Sequence, residues 1–113
     1  MNVTLVILNW NGAADTLDCL SSVNKLHLPP STQLHVIVVD NGSTDNSVEI
    51  LRKVEGVSLI QNSRNLGYAG GNNIGIRQAI SAGTDFIWIL NPDIQVDPNC
   101  LKHLVSFANS HPD

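Results

Sequence analysis

Polar residues suited to binding chemistry collect at a few points of this 113-residue chain, each just after a short apolar run. Asn9-Trp10-Asn11-Gly12 follows the first run, and Asp40-Asn41-Gly42-Ser43-Thr44-Asp45 follows the second. Asn62-Ser63-Arg64-Asn65-Leu66-Gly67, leading into Tyr68-Ala69-Gly70-Gly71-Asn72-Asn73, follows the third, and Asn91-Pro92-Asp93 the fourth. Asp40 ends a buried run, where an ionised carboxylate is costly unless donors reach it. Two roles are open to it: an Asx turn or helix cap that receives backbone N–H groups, or acceptor of the imide N–H of uracil or thymine. Gly67, Gly70, Gly71 and Gly75 open a helix without forming G-x-G-x-x-G or G-x-x-x-x-G-K-[ST], so neither a nicotinamide cofactor nor a P-loop is indicated. They permit close backbone approach at a helix N-terminus, which suits an anionic or ribosyl ligand. Arg64 just before them can meet phosphate or a base carbonyl, or serve as an ordinary surface arginine. Asp93 is the kind of ligand that Mg²⁺ or Mn²⁺ takes alongside substrate phosphates, where the ion stabilises a departing diphosphate as a Lewis acid. Asn91 beside it can contact sugar, although an isolated Asn-Pro-Asp also reads as a turn with a solvated carboxylate.

Other chemistries lack their residues. His27, His35, His103 and His111 have no spacing for zinc or a catalytic dyad, and no G-x-S-x-G elbow occurs. Gly42 stands where a calcium loop over Asp40–Asp45 would need a ligand. Cys19 and Cys100 lie far apart with no C-x-x-C, the usage of two buried, reduced thiols. Asn2-Val3-Thr4 and Asn41-Gly42-Ser43 match the glycosylation pattern, but no basic n-region and apolar h-region precede them, so both are read as chance matches.

The elements that must position these residues follow from the hydrophobic pattern. The composition, 42% hydrophobic and 14% charged, excludes disorder because Leu, Ile and Val recur in short runs. No stretch approaches the ~20 apolar residues of a membrane span. A net charge of −4, with six Lys and Arg of which only Arg52 and Lys53 adjoin, excludes the footprint of a nucleic-acid binder. Val3–Leu8, His35–Val39, Val57–Ile60 and Phe86–Leu90 are β-rich runs, as expected of strands buried on both faces. Between them lie helical spacings: Leu17, Leu20 and Val23; Val48 and Leu51 after a Ser43-Thr44-Asp45 cap signal; Ile76 and Ile80. Asp97-Pro98 forms a cap and first-turn pair before the stripe Leu101, Leu104, Val105 and Ala108. The alternation predicts one α/β unit, Rossmann-like, a mostly parallel sheet with helices on both faces and strand order 3-2-1-4. Ligands of such sheets bind beyond the carboxyl ends of the strands, which is where the four polar segments fall.

In this order and spacing, ILNWNG, VIVVDNGSTDNS, NSRNLGYAGGNNIGI and IWILNPDIQVDP resemble the family 2 glycosyltransferases with the GT-A fold, and most of all their bacterial rhamnosyltransferase-like branch. The resemblance covers nearly the whole chain. It implies that residues 1–113 are the nucleotide-sugar-binding part of a transferase that uses a UDP- or dTDP-sugar for inverting transfer to a saccharide or lipid-linked acceptor. It also implies that Asn9 and Asn11 line the nucleotide pocket and that Asp40 takes the pyrimidine N–H. Arg64 and Asn65 would approach base or ribose, with Gly70, Gly71 and Asn72 packed beside the nucleoside. Asn91-Pro92-Asp93 falls at the family's D-x-D position, with Asn91 at the sugar and Asp93 as the carboxylate for Mg²⁺ or Mn²⁺. Asn91 departs from the first acid of that motif.

Family members continue past D-x-D into an acceptor half that carries the general base. On this reading the base lies beyond Asp113, and the unit binds donor without turning it over. Apolar surface left bare by the missing half predicts self-association. The resemblance also implies a cytoplasmic location, peripheral at the inner face of the plasma membrane. Two other classes fit the same residues: a non-catalytic nucleotide-binding or assembly module, and a nucleotidyltransferase. The latter is disfavoured because Asn9-Trp10-Asn11-Gly12 lacks a basic residue.

Overall fold

The four apolar runs become four parallel strands, because a crossover long enough to return the chain joins each to the next. Contrary to the expectation of burial on both faces, the runs at the two sheet edges, Val57–Ile60 and Phe86–Leu90, stay partly exposed because each lacks a neighbouring strand on one side. A computed structural model describes residues 1–110; His111 lies outside them. The elements alternate as β1 (Asn2–Asn9), α1 (Ala13–Asn24), β2 (Gln33–Asp40), α2 (Ser47–Leu51), β3 (Val57–Gln61), α3 (Gly67–Ser81), β4 (Phe86–Leu90) and α4 (Cys100–Ser110). The sheet order is β3-β2-β1-β4, as the sequence predicts. Asn9 pairs in register with Asp40 and Asp40 with Gln61, while Ile7 pairs with Leu90, so all four strands finish at one edge.

Alternation along the strands divides the core in two. Val3, Leu5, Ile7, Val38 and Leu90 pack with Cys19, Leu20 and Val23 of α1, Leu51 of α2, and Leu101 and Val105 of α4. Val6, Ile37 and Val39, of the opposite parity, pack with Ala79 of α3. Helices thus cover both faces. Burying each large aliphatic side chain contributes about 1.5–3 kcal/mol.

Three helical expectations need correction. Ile76 and Ile80 do not mark the inner face of α3: its buried residues are Gly71, Asn72, Gly75 and Ala79, and Ile80 is 64% exposed. The helix lies too close for anything larger, since a Cβ on Gly75 would stand 2.6 Å from Val6 Cγ1 and 3.0 Å from Val39 Cγ2. On α1 the buried set is Ala13, Thr16, Cys19, Leu20 and Val23, with Leu17 exposed at the rim. On α4, Leu101 and Val105 are buried and Leu104 is exposed. The turn before α4 is held as the sequence suggests, Asn99 N donating to Asp97 Oδ1 at 2.9 Å. Both cysteines are free; Cys19 is buried as expected, but Cys100 is only half-buried.

Candidate functional site

The carboxyl edge of the sheet is built from two polar clusters, one on each face. Asn9 and Asp40 follow the parity of Ile7 and Val38 and turn toward α1. Asn9 Nδ2 donates to Asp40 Oδ1 at 2.9 Å, and Thr16 Oγ1 of α1 donates to Asn9 Oδ1 at 2.6 Å. Ser43 Oγ donates to Asp40 Oδ1 at 2.6 Å and Ser43 N to Asp40 Oδ2 at 3.0 Å. Asp40 therefore closes the loop after β2 by accepting the backbone N–H of Ser43, the first of the two roles its position allows. Asn9 and Asp40 are both 0% exposed. This revises the expectation that Asn9 lines a pocket: its side chain lies beneath the edge, spent on Asp40 and Thr16. Asp40 likewise presents no surface for direct contact with a base as folded.

Asn11 joins the first two loops from above. It holds φ +49°, in the left-handed region that Asn tolerates better than most residues. Its N–H donates to Ser43 Oγ at 2.9 Å, and its Oδ1 accepts from Thr44 N at 2.7 Å and Asp45 N at 3.2 Å.

The second cluster centres on Asn41, which follows the parity of Val39 toward α3. Asn41 Nδ2 donates to Asn65 Oδ1 and Gly67 O, both at 3.1 Å. Its Oδ1 accepts from Asn62 Nδ2 at 3.2 Å and Leu66 N at 3.0 Å. Gly71 faces the same carboxamide; a Cβ there would stand 2.5 Å from Leu8 Cδ1 and 2.9 Å from Asn41 Nδ2. Gly71 thus seats α3 on the sheet rather than lying open to a ligand. Asn72 is 3% exposed, and neither Nδ2 nor Oδ1 of its carboxamide has a partner among the described residues.

Tyr68, at the start of α3, reaches the fourth strand end and donates from its hydroxyl to Asn91 Oδ1 at 3.1 Å. Asp93, two residues further on, is close enough to Cys19 for its charge to act on the thiol. Burial first and Asp93 second push the Cys19 thiol up to about 11.

The four ends are thus linked in sequence, first to second through Asn9 and Asn11, second to third through Asn41, and third to fourth through Tyr68. Of the residues the sequence singled out, Arg64, Asn65, Asn91 and Asp93 are exposed, Asn11 and Gly70 half-buried, and Asn9, Asp40, Gly71 and Asn72 buried. Sequence reasoning missed Asn41, Ser43, Thr16 and Tyr68 as organisers of the edge. Strand parity carried a signal for Asn41, because a residue one past Asp40 must face α3. Among the described residues no group of three or more His, Cys, Asp or Glu side chains could hold a metal ion. Cavities of about 490, 230 and 200 Å³ lie elsewhere, beside Pro29 and Lys102, between β4 and α4, and around Thr4 and His35. No helix among the described residues is long and apolar enough to cross a membrane.

Comparison with known proteins agrees on one family. The profile described as Glycosyl transferase family 2 matches residues 4–113. The galactofuranosyltransferase GlfT1 of Mycolicibacterium smegmatis is 37% identical over 82 residues, 68% of this chain and 26% of its own length. The dTDP-rhamnosyl transferase RfbF of Shigella flexneri is 28% identical over 109 residues, 96% of this chain and 35% of its own. Among solved structures, the mannosyltransferase PcManGT from Pyrobaculum calidifontis in complex with GDP-Man and Mn²⁺ superposes with a TM-score of 0.82 at 22% identity, over 94% of this chain and 32% of that one. The chain thus spans about a quarter to a third of the length of the relatives it matches.

Proposed function

The chain belongs to glycosyl transferase family 2, and on that premise we propose that residues 1–113 form the donor-binding part of a transferase that takes a nucleotide-sugar, UDP- or dTDP-linked, for inverting transfer to a saccharide or lipid-linked acceptor. The carrying observation is the chain of side-chain bonds that joins all four strand ends at the carboxyl edge, where open parallel sheets bind ligands. Over this floor Arg64, Asn65 and Asn91 are exposed for contact with base, ribose and sugar. Asn11 and Gly70 flank them, with Asn72 beneath as a buried amide that lacks a partner. Asp40 and Asn9 act from below by fixing the loop that carries Ser43 and Thr44. A dTDP-rhamnosyl transferase matched over 96% of this chain favours a rhamnosyltransferase-like branch, and action at the inner face of the plasma membrane belongs to the same reading.

The metal is tested by the donor set. Asp93 is a lone exposed carboxylate, and Asn91 Oδ1 already accepts from Tyr68. That set does not assemble an ion site by itself, but it fits Mg²⁺ or Mn²⁺ arriving on a diphosphate that supplies most of its oxygen ligands. When bound, the ion would offset negative charge on the departing nucleoside diphosphate. The chain's own part is to hold the nucleotide and keep Asp93 beside the diphosphate. The general base that takes the acceptor hydroxyl proton belongs to the remainder of such an enzyme.

Thermal unfolding with UDP-, dTDP- and GDP-sugars, with and without Mn²⁺, tests the proposal. A donor at 100 times its Kd stabilises by about 2.7 kcal/mol, and Asp93→Ala is expected to remove the Mn²⁺ dependence while leaving a residual shift. No shift with any nucleotide-sugar at millimolar concentration overturns it.

A further inference from the structure

The end of β2 sends two successive polar residues to opposite faces, Asp40 as its last residue and Asn41 just past it. Asp40 serves the loops on the α1 side, whereas Asn41 serves the segment after β3. A carboxamide has two donor hydrogens and two strong acceptor positions, and at Asn41 all four are used on residues 62 to 67. The residue is 2% exposed, and the bonds of its carboxamide all run inward to this segment.

The residue that follows presses the same segment from the other direction. Gly42, at φ +77°, lies so close to Arg64 that a Cβ on it would stand 2.6 Å from Arg64 Cα and 2.7 Å from Asn65 N. The backbone of Arg64 is thereby held between Gly42 and the Asn41 bonds to Asn62 and Leu66. Its side chain is exposed, and its guanidinium has no partner among the described residues. In a chain of net charge −4, this is an unpaired cation on a fixed stem, at the edge where an anionic ligand is expected. Holding a charged group in place before the ligand arrives removes an ordering cost from binding.

We propose that Asn41 is a positioning residue of the donor site, pinning residues 62–67 so that the Arg64 guanidinium meets a bound nucleoside diphosphate. The inference rests on the donor-binding reading above and adds the device that aims the Arg64 cation. Asn41→Asp separates the two halves of the clamp. It keeps an acceptor for Asn62 and Leu66 but turns a second oxygen toward Asn65 Oδ1 and Gly67 O, so attraction becomes repulsion there.

A double-mutant cycle tests the inference, with UDP and Mn²⁺ as the probe and calorimetric titration of the 113-residue chain as the readout. Arg64→Ala and Asn41→Asp are each expected to weaken UDP by about tenfold, the size of a lost charge-assisted contact. The combination is expected to bind within about twofold of Arg64→Ala alone, because a loop without its arginine has nothing left to aim. If Asn41→Asp does not fold, Asn62→Ala removes one of the four bonds from a half-buried side chain and carries the same cycle, with a loss of about threefold.

A merely structural Asn41 gives additive losses, which overturns the inference, as does full UDP affinity in Asn41→Asp or in Arg64→Ala. If the wild-type chain binds UDP and only the coupling is missing, the inference alone falls. If the wild type binds no nucleotide, the donor-binding reading falls and takes the inference with it.

Discussion

The two faces of the sheet are closed by different means. Toward α1, α2 and α4, Leu5, Ile7 and Val38 meet Leu20, Leu51 and Leu101, large side chains against large side chains. Toward α3, Val6 and Val39 meet a helix whose inner positions are Gly71, Gly75 and Ala79. Interdigitated aliphatic chains absorb small shifts by changing rotamer, whereas a helix backbone seated on methyl groups moves as a unit or not at all. The contrast continues to the carboxyl edge. Under α1 the Asn9–Asp40–Ser43 cluster is sealed and closes a turn, while the α3 side presents Arg64, Asn65, Tyr68 and Asn91 to solvent. One face supplies most of the stability; the other sets where the exposed polar groups stand.

That division can be broken by one substitution on each face. Leu101, 1% exposed, fills the core beneath α4, and Leu101→Ala is expected to cost about 2–5 kcal/mol in urea unfolding. UDP affinity of the folded fraction should stay within about twofold of wild type, since Leu101 belongs to the apolar core and not to the polar clusters of the carboxyl edge. Gly75→Ala should do the reverse. Its Cβ would press on Val6 and Val39, an overpacking that costs about 1–3 kcal/mol, offset by about 1 kcal/mol of gained helix propensity. The smaller stability loss is expected to come with the larger binding loss, about tenfold for UDP, because α3 must rise off the sheet and take the Arg64 segment with it. Equal binding losses in the two variants would erase the distinction between the faces.

The same contrast explains what the sequence disclosed. The α1 face is written in side-chain hydrophobicity, so the strands, their order and the buried stripe of α4 could be read from Val3–Leu8, Phe86–Leu90 and the Leu101–Val105 spacing. The inner face of α3 is written in missing side chains. Gly71, Gly75 and Ala79 recur every four residues but carry little hydrophobic signal, and the isoleucines at 76 and 80 mark the wrong side. At the carboxyl edge, residue type was legible and orientation was not. Asn9 and Asp40 stood out because they end apolar runs, yet that position, in step with Ile7 and Val38, is what buries them. Counting parity forward from the core assigns Asp40 to α1 and Asn41 to α3. The Tyr68–Asn91 contact, by contrast, depends on how far α3 overhangs the sheet, which no local pattern encodes.

Cys19 offers the smallest and most local measure of how tightly the α1 face is sealed. The side chain is 0% exposed, and burial, reinforced by the charge of Asp93, raises the thiol from 9.0 to about 11. Below pH 9.0 folded and unfolded chains both carry the neutral thiol, so its contribution to stability is fully present. Between 9.0 and about 11 the unfolded chain releases the proton and the folded chain keeps it, so the fold loses stability as pH rises. Above that window both forms are ionised and the loss is complete. Cys19→Val preserves an apolar side chain of similar size and has no proton to lose, so the difference between the two proteins isolates this thiol. Urea unfolding across this range should therefore give a wild-type-to-variant difference that is flat below pH 9.0 and shifts against the wild type up to about 11. A difference that stays flat through the window would mean that Cys19 ionises as readily in the folded chain as in the unfolded one, and that the α1 face opens to solvent as easily as the carboxyl edge.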